Sequence, residues 1–275
     1  MKLVSVANES FLPHAINLFL SYDSFHNSDK KVLYYFNTNL DKLEFAKKIV
    51  KNLEIIEIPK INDYMYNTKI FLFKAYALAQ EIIKKEDFIY SDSANVYVRK
   101  DDFLESHLEA HDRLLLEYPE EIKKNKFFTT KRCFKLLGCD TEYYKDKKQY
   151  WAGLQAYKYT KENELLLNSQ FDYMQDKNIS FPESTVERPD GSSSECWFHR
   201  NDQSVLSLLV EKYGLAQPFD HETFNRYGDF YTVFEHDLSY RKQYDENKMI
   251  IHARQGRKFG LSYFNKEMSD QYARL

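Results

Sequence analysis

Short apolar, β-rich runs alternate with segments whose apolar residues recur at helical spacing. This alternation constrains the fold more than any other feature of the chain. KLVSVA (2–7) reads as a first strand and ends in Asn8-Glu9-Ser10. FLPHAINLFLSYDSF follows with helical periodicity, Pro13 being tolerated in a first turn. KKVLYYFN (30–37) is a second strand, LDKLEFAKKIVKNL (40–53) an amphipathic helix and EIIEIP (54–59) a third strand. TKIFLFKAYALAQEIIKK (68–85) is a longer helix, and FIYSDSANVYV (88–98) a fourth strand that stops at a polar cluster and resumes. Strands alternating with helices predict an α/β fold, a mostly parallel sheet covered by helices on both faces. Ligands bind such sheets beyond the carboxyl ends of the strands. Ala7 to Ser10, Asn37 to Asn39 and Asp92 to Asn95 are therefore the places to look.

Further along, the pattern loosens. Residues 113–135 mix charged and apolar groups, and WAGLQAYKY (151–159) reads as a strand opening on a small-residue turn. FPESTVERPDGSSSECW (181–197) is a loop, long enough to be a functional flap. HRNDQSVLSLLVEKYGL (199–215) is a helix with Asn201 or Asp202 as its cap, an apolar face through Val205, Leu208 and Leu209, and Gly214 as its stop. MIIHARQGRKFG (249–260) is a short strand that ends in His252 and a basic loop. No linker is evident, so one domain over 1–275 is expected.

Several classes are excluded. The seven glycines, at 138, 153, 191, 214, 228, 256 and 260, build neither G-x-G-x-x-G nor a P-loop. A nucleotide would have to be held without a glycine-rich cradle. A net charge of -3 argues against a non-specific nucleic-acid binder. Cys133, Cys139 and Cys196 form no C-x-x-C pair, which fits a reducing compartment. No apolar run approaches the roughly 20 residues of a membrane span, and no signal peptide is read, so a soluble cytoplasmic protein is expected. His107 and His111 share a helical face, but Glu109 is misplaced for H-E-x-x-H, and solvent-facing histidines are expected. The 22 tyrosines and 21 phenylalanines accompany many Lys, Asn and Ile residues, which for most of them reads as composition bias.

Asp92 ends an apolar strand, from which its carboxylate can hold a divalent cation through oxygen or simply shape a turn. Lys74 lies among apolar neighbours and either reaches toward phosphate or snorkels to the surface. FIYSDSANVYV resembles the aspartate-containing strand of GT-A glycosyltransferases, where an apolar strand leads to Asp-x-Asp. WAGLQAYKYTKE, NDQSVLSLL and IIHARQGRK resemble, in order, the small-residue strand, the Asp-Gln helix start and the closing His–Lys strand of the family-8-like group. Here the second aspartate position is Ala94, and Trp151 stands where that group has a small or amide residue.

The resemblance implies a GT-A-like, Rossmann-like fold with a nucleotide-binding half (1–100) and an acceptor-binding half (101–275). It implies transfer of a sugar from a nucleotide-sugar, with UDP as the carrier, to a saccharide acceptor. Mn2+ or Mg2+ on Asp92 and His252, with Lys258 and Arg254, would neutralise the diphosphate. Ala7 and Asn8 would meet the base, Gly153 would let the backbone approach the donor sugar, and Gln155 would bond a hydroxyl. Asp202 is the acceptor-side carboxylate, with Glu195 as the substitute base. By its composition, the aromatic loop FNRYGDFY (224–231) could cup that acceptor. The alternative is a non-catalytic relative that binds nucleotide or glycan.

Overall fold

The structure is a computed structural model. It describes residues 1–26, 29–97, 100, 103–180, 196, 199–217, 220, 223, 250–252 and 266–275, with the backbone alone for 250–252, 266, 267 and 269. The first half alternates as expected: β1 (Lys2–Ala7), α1 (Leu12–His26), β2 (Lys31–Tyr35), α2 (Leu40–Ile49), β3 (Leu53–Glu57), α3 (Leu72–Ile82) and β4 (Phe88–Ser91). There follow β5 (Asn95–Tyr97), α4 (Leu104–His111), β6 (Arg113–Glu117), short helices α5 (Asn125–Phe128), α6 (Lys131–Leu136) and α7 (Glu142–Asp146), and β7 (Tyr150–Tyr157). The chain continues through α8 (Lys161–Met174), α9 (Lys177–Ser180), α10 (Asp202–Lys212) and β8 (Ile250–His252) to a last helix, Lys266–Ala273.

Six strands form one sheet in the order β3-β2-β1-β4-β7-β6. β1, β2, β3 and β4 are parallel, whereas β7 runs antiparallel to both β4 and β6. β1 is buried along its whole length, because both sheet faces are covered. Val4 and Val6 join one core with α3, α8 and α10, while Leu3 and Ala7 join the other with α1 and α2. The period-two alternation of the strand supplies both cores.

Helix ends follow their caps. The side-chain oxygen of Asn39 accepts from the amide of Asp41 at 2.7 Å and starts α2. Thr160 does the same for α8 through the amide of Asn163. α10 is buried from Asp202 to Glu211, more completely than its apolar stripe suggests. Its Ser207 hydroxyl accepts from the amide of Tyr150 and donates to the Gln203 carbonyl, so polar residues are satisfied inside.

Two expectations need correction, and a stretch read without an assigned element holds a strand. Residues 88–98 are two strands: the chain leaves the sheet at Ser91, turns, and pairs β5 with β8 in a second, antiparallel sheet. The stretch 113–135 contains a sheet strand, β6. His107 is not solvent-facing: it is half-buried, with its ring centroid 4.8 Å from that of His111.

Candidate active site

β1 and β4 are adjacent and parallel, so their carboxyl ends open at one pole of the sheet. β7 is antiparallel to β4, which brings its N-terminal half, including Gly153, to that same pole. The amide of Asp92 donates to the Gly153 carbonyl at 2.8 Å, extending the β4–β7 ladder by one bond. Asn95 closes the turn: its amide N–H donates to the Asp92 carbonyl at 2.9 Å. Its buried side-chain amide donates to Ser91 Oγ and to the Gly153 carbonyl, both at 2.9 Å. The backbone of His252 lies opposite Asn95 in the β5–β8 pair. Asn95 thus ties β4, β7 and β8 together around Asp92.

Lys74 reaches this pole from α3 and Asp202 from the start of α10. The Lys74 ammonium bonds Asp92 Oδ1 at 3.2 Å and Asp202 Oδ2 at 3.0 Å. Tyr90 completes the cluster. Its hydroxyl donates to Asp92 Oδ1 at 2.8 Å, and Lys74 Nζ lies 4.9 Å from the centre of its ring. Lys74 and Asp202 are only 3% and 6% exposed, whereas the Asp92 side chain is 31% exposed. Burial alone would lower the pKa of Lys74, but the charges of Asp202 and Asp92 outweigh it and hold the ammonium above its ordinary value. Burial pushes the Asp202 carboxyl up against the pull of Lys74, and the like charge of Asp92 adds to the rise. Burial, with the charge of Asp92, keeps the Tyr90 hydroxyl protonated and therefore a donor.

Strained backbone flanks the cluster. Phe71, just before α3, has φ of 63°, and Asn201, just before Asp202, has φ of 41°. The Asn201 amide donates to the Lys69 carbonyl and joins the two turns. Positive φ at non-glycine residues is uncommon and concentrates at functional sites.

The structure unites Lys74, Asp92 and Asp202 and accounts differently for other residues. Gln155 is buried; its amide donates to the Ala152 carbonyl and its oxygen accepts from the Tyr157 hydroxyl, so it is engaged within the core. A Cβ on Gly153 would lie 2.6 Å from the Trp151 ring, so the missing side chain makes room for that indole. Asn8 Oδ1 accepts from the amide of Phe11, ordinary turn chemistry, and Ala7 is buried at the end of β1. Asn201, not Asp202, is the helix cap residue, although its side chain makes no capping bond. Glu195, the 224–231 loop, Arg254, Lys258 and the His252 side chain lie outside the described residues. Sequence reasoning missed Tyr90; its i,i+2 spacing from Asp92 on a strand placed both on one face.

The described side chains do not by themselves complete a divalent-cation site, and the side chain of His252, the other expected ligand, lies outside the described residues. Ala94 has no ligating atom. The carboxylates of Asp92 and Asp202 both bond the Lys74 ammonium, and Asp92 also accepts from the Tyr90 phenol. Among the described residues no three His, Cys, Asp or Glu side chains are grouped to hold a metal ion.

No protein-family model matches the chain, and no curated protein matches it. Among solved structures, it is similar to the apo structure of the bifunctional glycosyltransferase WbbM. That likeness has a TM-score of 0.54 and 10% identity, and it covers 92% of this chain. The match covers 45% of that structure, so the chain spans about half its length. At this identity the likeness establishes a shared α/β fold. Among the described residues no helix is long and apolar enough to cross a membrane.

Proposed function

We propose that this chain is a glycosyltransferase that moves a sugar from a nucleotide-sugar, with UDP as carrier, to a hydroxyl of a saccharide acceptor. The observation that carries the reading is the pair of carboxylates, Asp92 and Asp202, clamped by Lys74 at the carboxyl ends of the sheet strands. The fold shared with a solved glycosyltransferase supports it, as does the order of the sequence segments that resemble the family-8-like group.

In this reading the bond from the anomeric carbon to the diphosphate oxygen breaks, and its electron pair leaves on the diphosphate. The acceptor oxygen bonds the anomeric carbon, and its proton passes to the acceptor-side carboxylate in an inverting reaction or to the departing diphosphate in a retaining one. Asp92, partly exposed, accepts hydrogen bonds from hydroxyls of the donor sugar. Asp202 is the carboxylate on the acceptor side. Its raised pKa makes it a stronger base once ionised, as an inverting reaction requires. In a retaining reaction it would bind hydroxyls instead. Arg254 and Lys258, which follow β8 in the sequence, are assigned to the diphosphate.

A second reading, a relative that binds a nucleotide or glycan without turnover, is favoured by Ala94 alone. Donor hydrolysis separates the two. A thermal-shift panel of UDP, GDP, CMP and ADP first identifies the carrier, since a ligand at 100 times its Kd adds about 2.7 kcal/mol. Hydrolysis of the matching nucleotide-sugar is then followed. The transferase reading expects turnover by the wild type and its loss in Asp92→Asn, with the folded state retained. Binding without turnover supports the second reading, and full turnover by Asp92→Asn removes the site assignment.

A further inference from the structure

The cation that stands between the two carboxylates of the crevice belongs to the chain. Lys74 Nζ lies 3.2 Å from Asp92 Oδ1 and 3.0 Å from Asp202 Oδ2. These residues come from the ends of different elements, one after β4 and one opening α10. Holding oxygens of separate elements together is what a bound divalent ion does in an acidic site. The usual means of building such an ion site, a second carboxylate two residues on, is replaced by Ala94, which is buried. Asn95 is no substitute, because its side-chain amide is fixed inward by Ser91 and Gly153.

We propose that the ammonium of Lys74 is the resident cation of this crevice, and that the protein binds its nucleotide-sugar without a divalent metal. The second clause rests on the donor reading above; the first does not. A dication on Asp92 would lie beside an ammonium that is buried and fixed. It would be repelled by that charge, and the two carboxylates it could use, Asp92 and Asp202, are both already bonded to the ammonium. An ammonium has three donors, and two of them hold the carboxylates in one relative position. Lys74 is therefore a positioning residue. With all three groups ionised the trio carries one net negative charge. That charge suits hydrogen bonds from sugar hydroxyls.

The test uses the full chain and manganese chloride as probe, with free Mn2+ followed by electron paramagnetic resonance. Wild-type protein at equimolar Mn2+ is expected to leave the free signal unchanged, and this measurement includes whatever His252 contributes. A loss of free signal that Asp92→Asn restores would overturn the proposal. Lys74→Met removes the ammonium and leaves two carboxylates facing each other, so a folded variant is expected to take up Mn2+ and lose more than half of the free signal. A folded Lys74→Met that ignores Mn2+ also counts against the proposal. If that variant does not fold, the wild-type titration decides.

Nucleotide thermal shifts in EDTA and in Mn2+ form the second arm. Equal shifts support the inference. A shift that appears only with Mn2+ overturns it and leaves the donor reading standing. No shift with any nucleotide overturns the donor reading, while the Mn2+ titration still decides the role of Lys74.

Discussion

His199 shows how a single buried group makes this fold sensitive to acid. It is 4% exposed, and its Nε2 lies 2.8 Å from the Ile179 carbonyl. Burial lowers its pKa from 6.5 to about 4, with the backbone carbonyls of Ile179 and Phe128 opposing the shift. A histidine held below its ordinary pKa stabilises the fold above pH 6.5. That contribution is lost as the pH falls through the folded value, because the unfolded chain binds the proton first. The full difference is about 3 kcal/mol. Urea denaturation from pH 7 to pH 4 should show this loss in the wild type, and His199→Gln should have a flatter profile. An identical slope in both proteins would remove His199 from the account. In the sequence His199 only opens the segment read as the 199–215 helix; the burial that shifts it comes from α9 and the α5 segment beside it.

At the scale of elements, β7 matters most. It was legible as a strand, from WAGLQAYKY, but its direction and its place between β4 and β6 were not. Local periodicity reports that a strand exists and which residues share a face; it carries no information on which neighbour accepts its hydrogen bonds. Gly153 illustrates the difference. Its lack of a side chain is visible in the sequence, and the reason is the Trp151 ring two residues earlier on the same strand. Gly153→Ala should cost about 1–3 kcal/mol through overpacking against that buried indole. It should also disturb the carbonyl that holds Asp92 and Asn95. Chemical denaturation measures the first effect. The companion change Trp151→Phe in the Gly153→Ala background should recover part of the loss if the indole is the cause. The β6 strand escaped notice because RLLLE is short and lies between charged residues, where neither an alternating pattern nor a turn signal marks it.

At the scale of the molecule, the last helix returns to the beginning of the chain. The Tyr272 hydroxyl donates to the Glu9 carbonyl at 3.2 Å, its ring lies 6.1 Å from that of Phe45, and Lys42 Nζ sits 4.9 Å from its centre. Glu9 in turn accepts from Lys42 and from the amide of Asn39. The carboxyl ends of β1 and β2 are therefore braced together by a distant segment. Tyr272→Ala removes a hydrogen bond and a cation–π contact and should cost about 1–2 kcal/mol. Hydrogen exchange should quicken through residues 266–275 and leave β1 and β4 protected. Equal acceleration across the whole sheet would show instead that the helix is integral to the core.

The sequence by itself determined the parallel half of the sheet, the helices on its two faces and the pole at which polar residues gather. Each of these follows from periodicities of two and of about 3.6 residues, which are properties of the local backbone. It also placed Lys74, Asp92 and Asp202 among the candidates. Only the tertiary structure decided that these three meet. An ion pair between residues far apart in the chain depends on how α3, β4 and α10 converge, and convergence is set by packing across the sheet. The same convergence turned Gln155 inward and set the ammonium of Lys74 between the carboxylates, because a buried charge must find its partners within the fold.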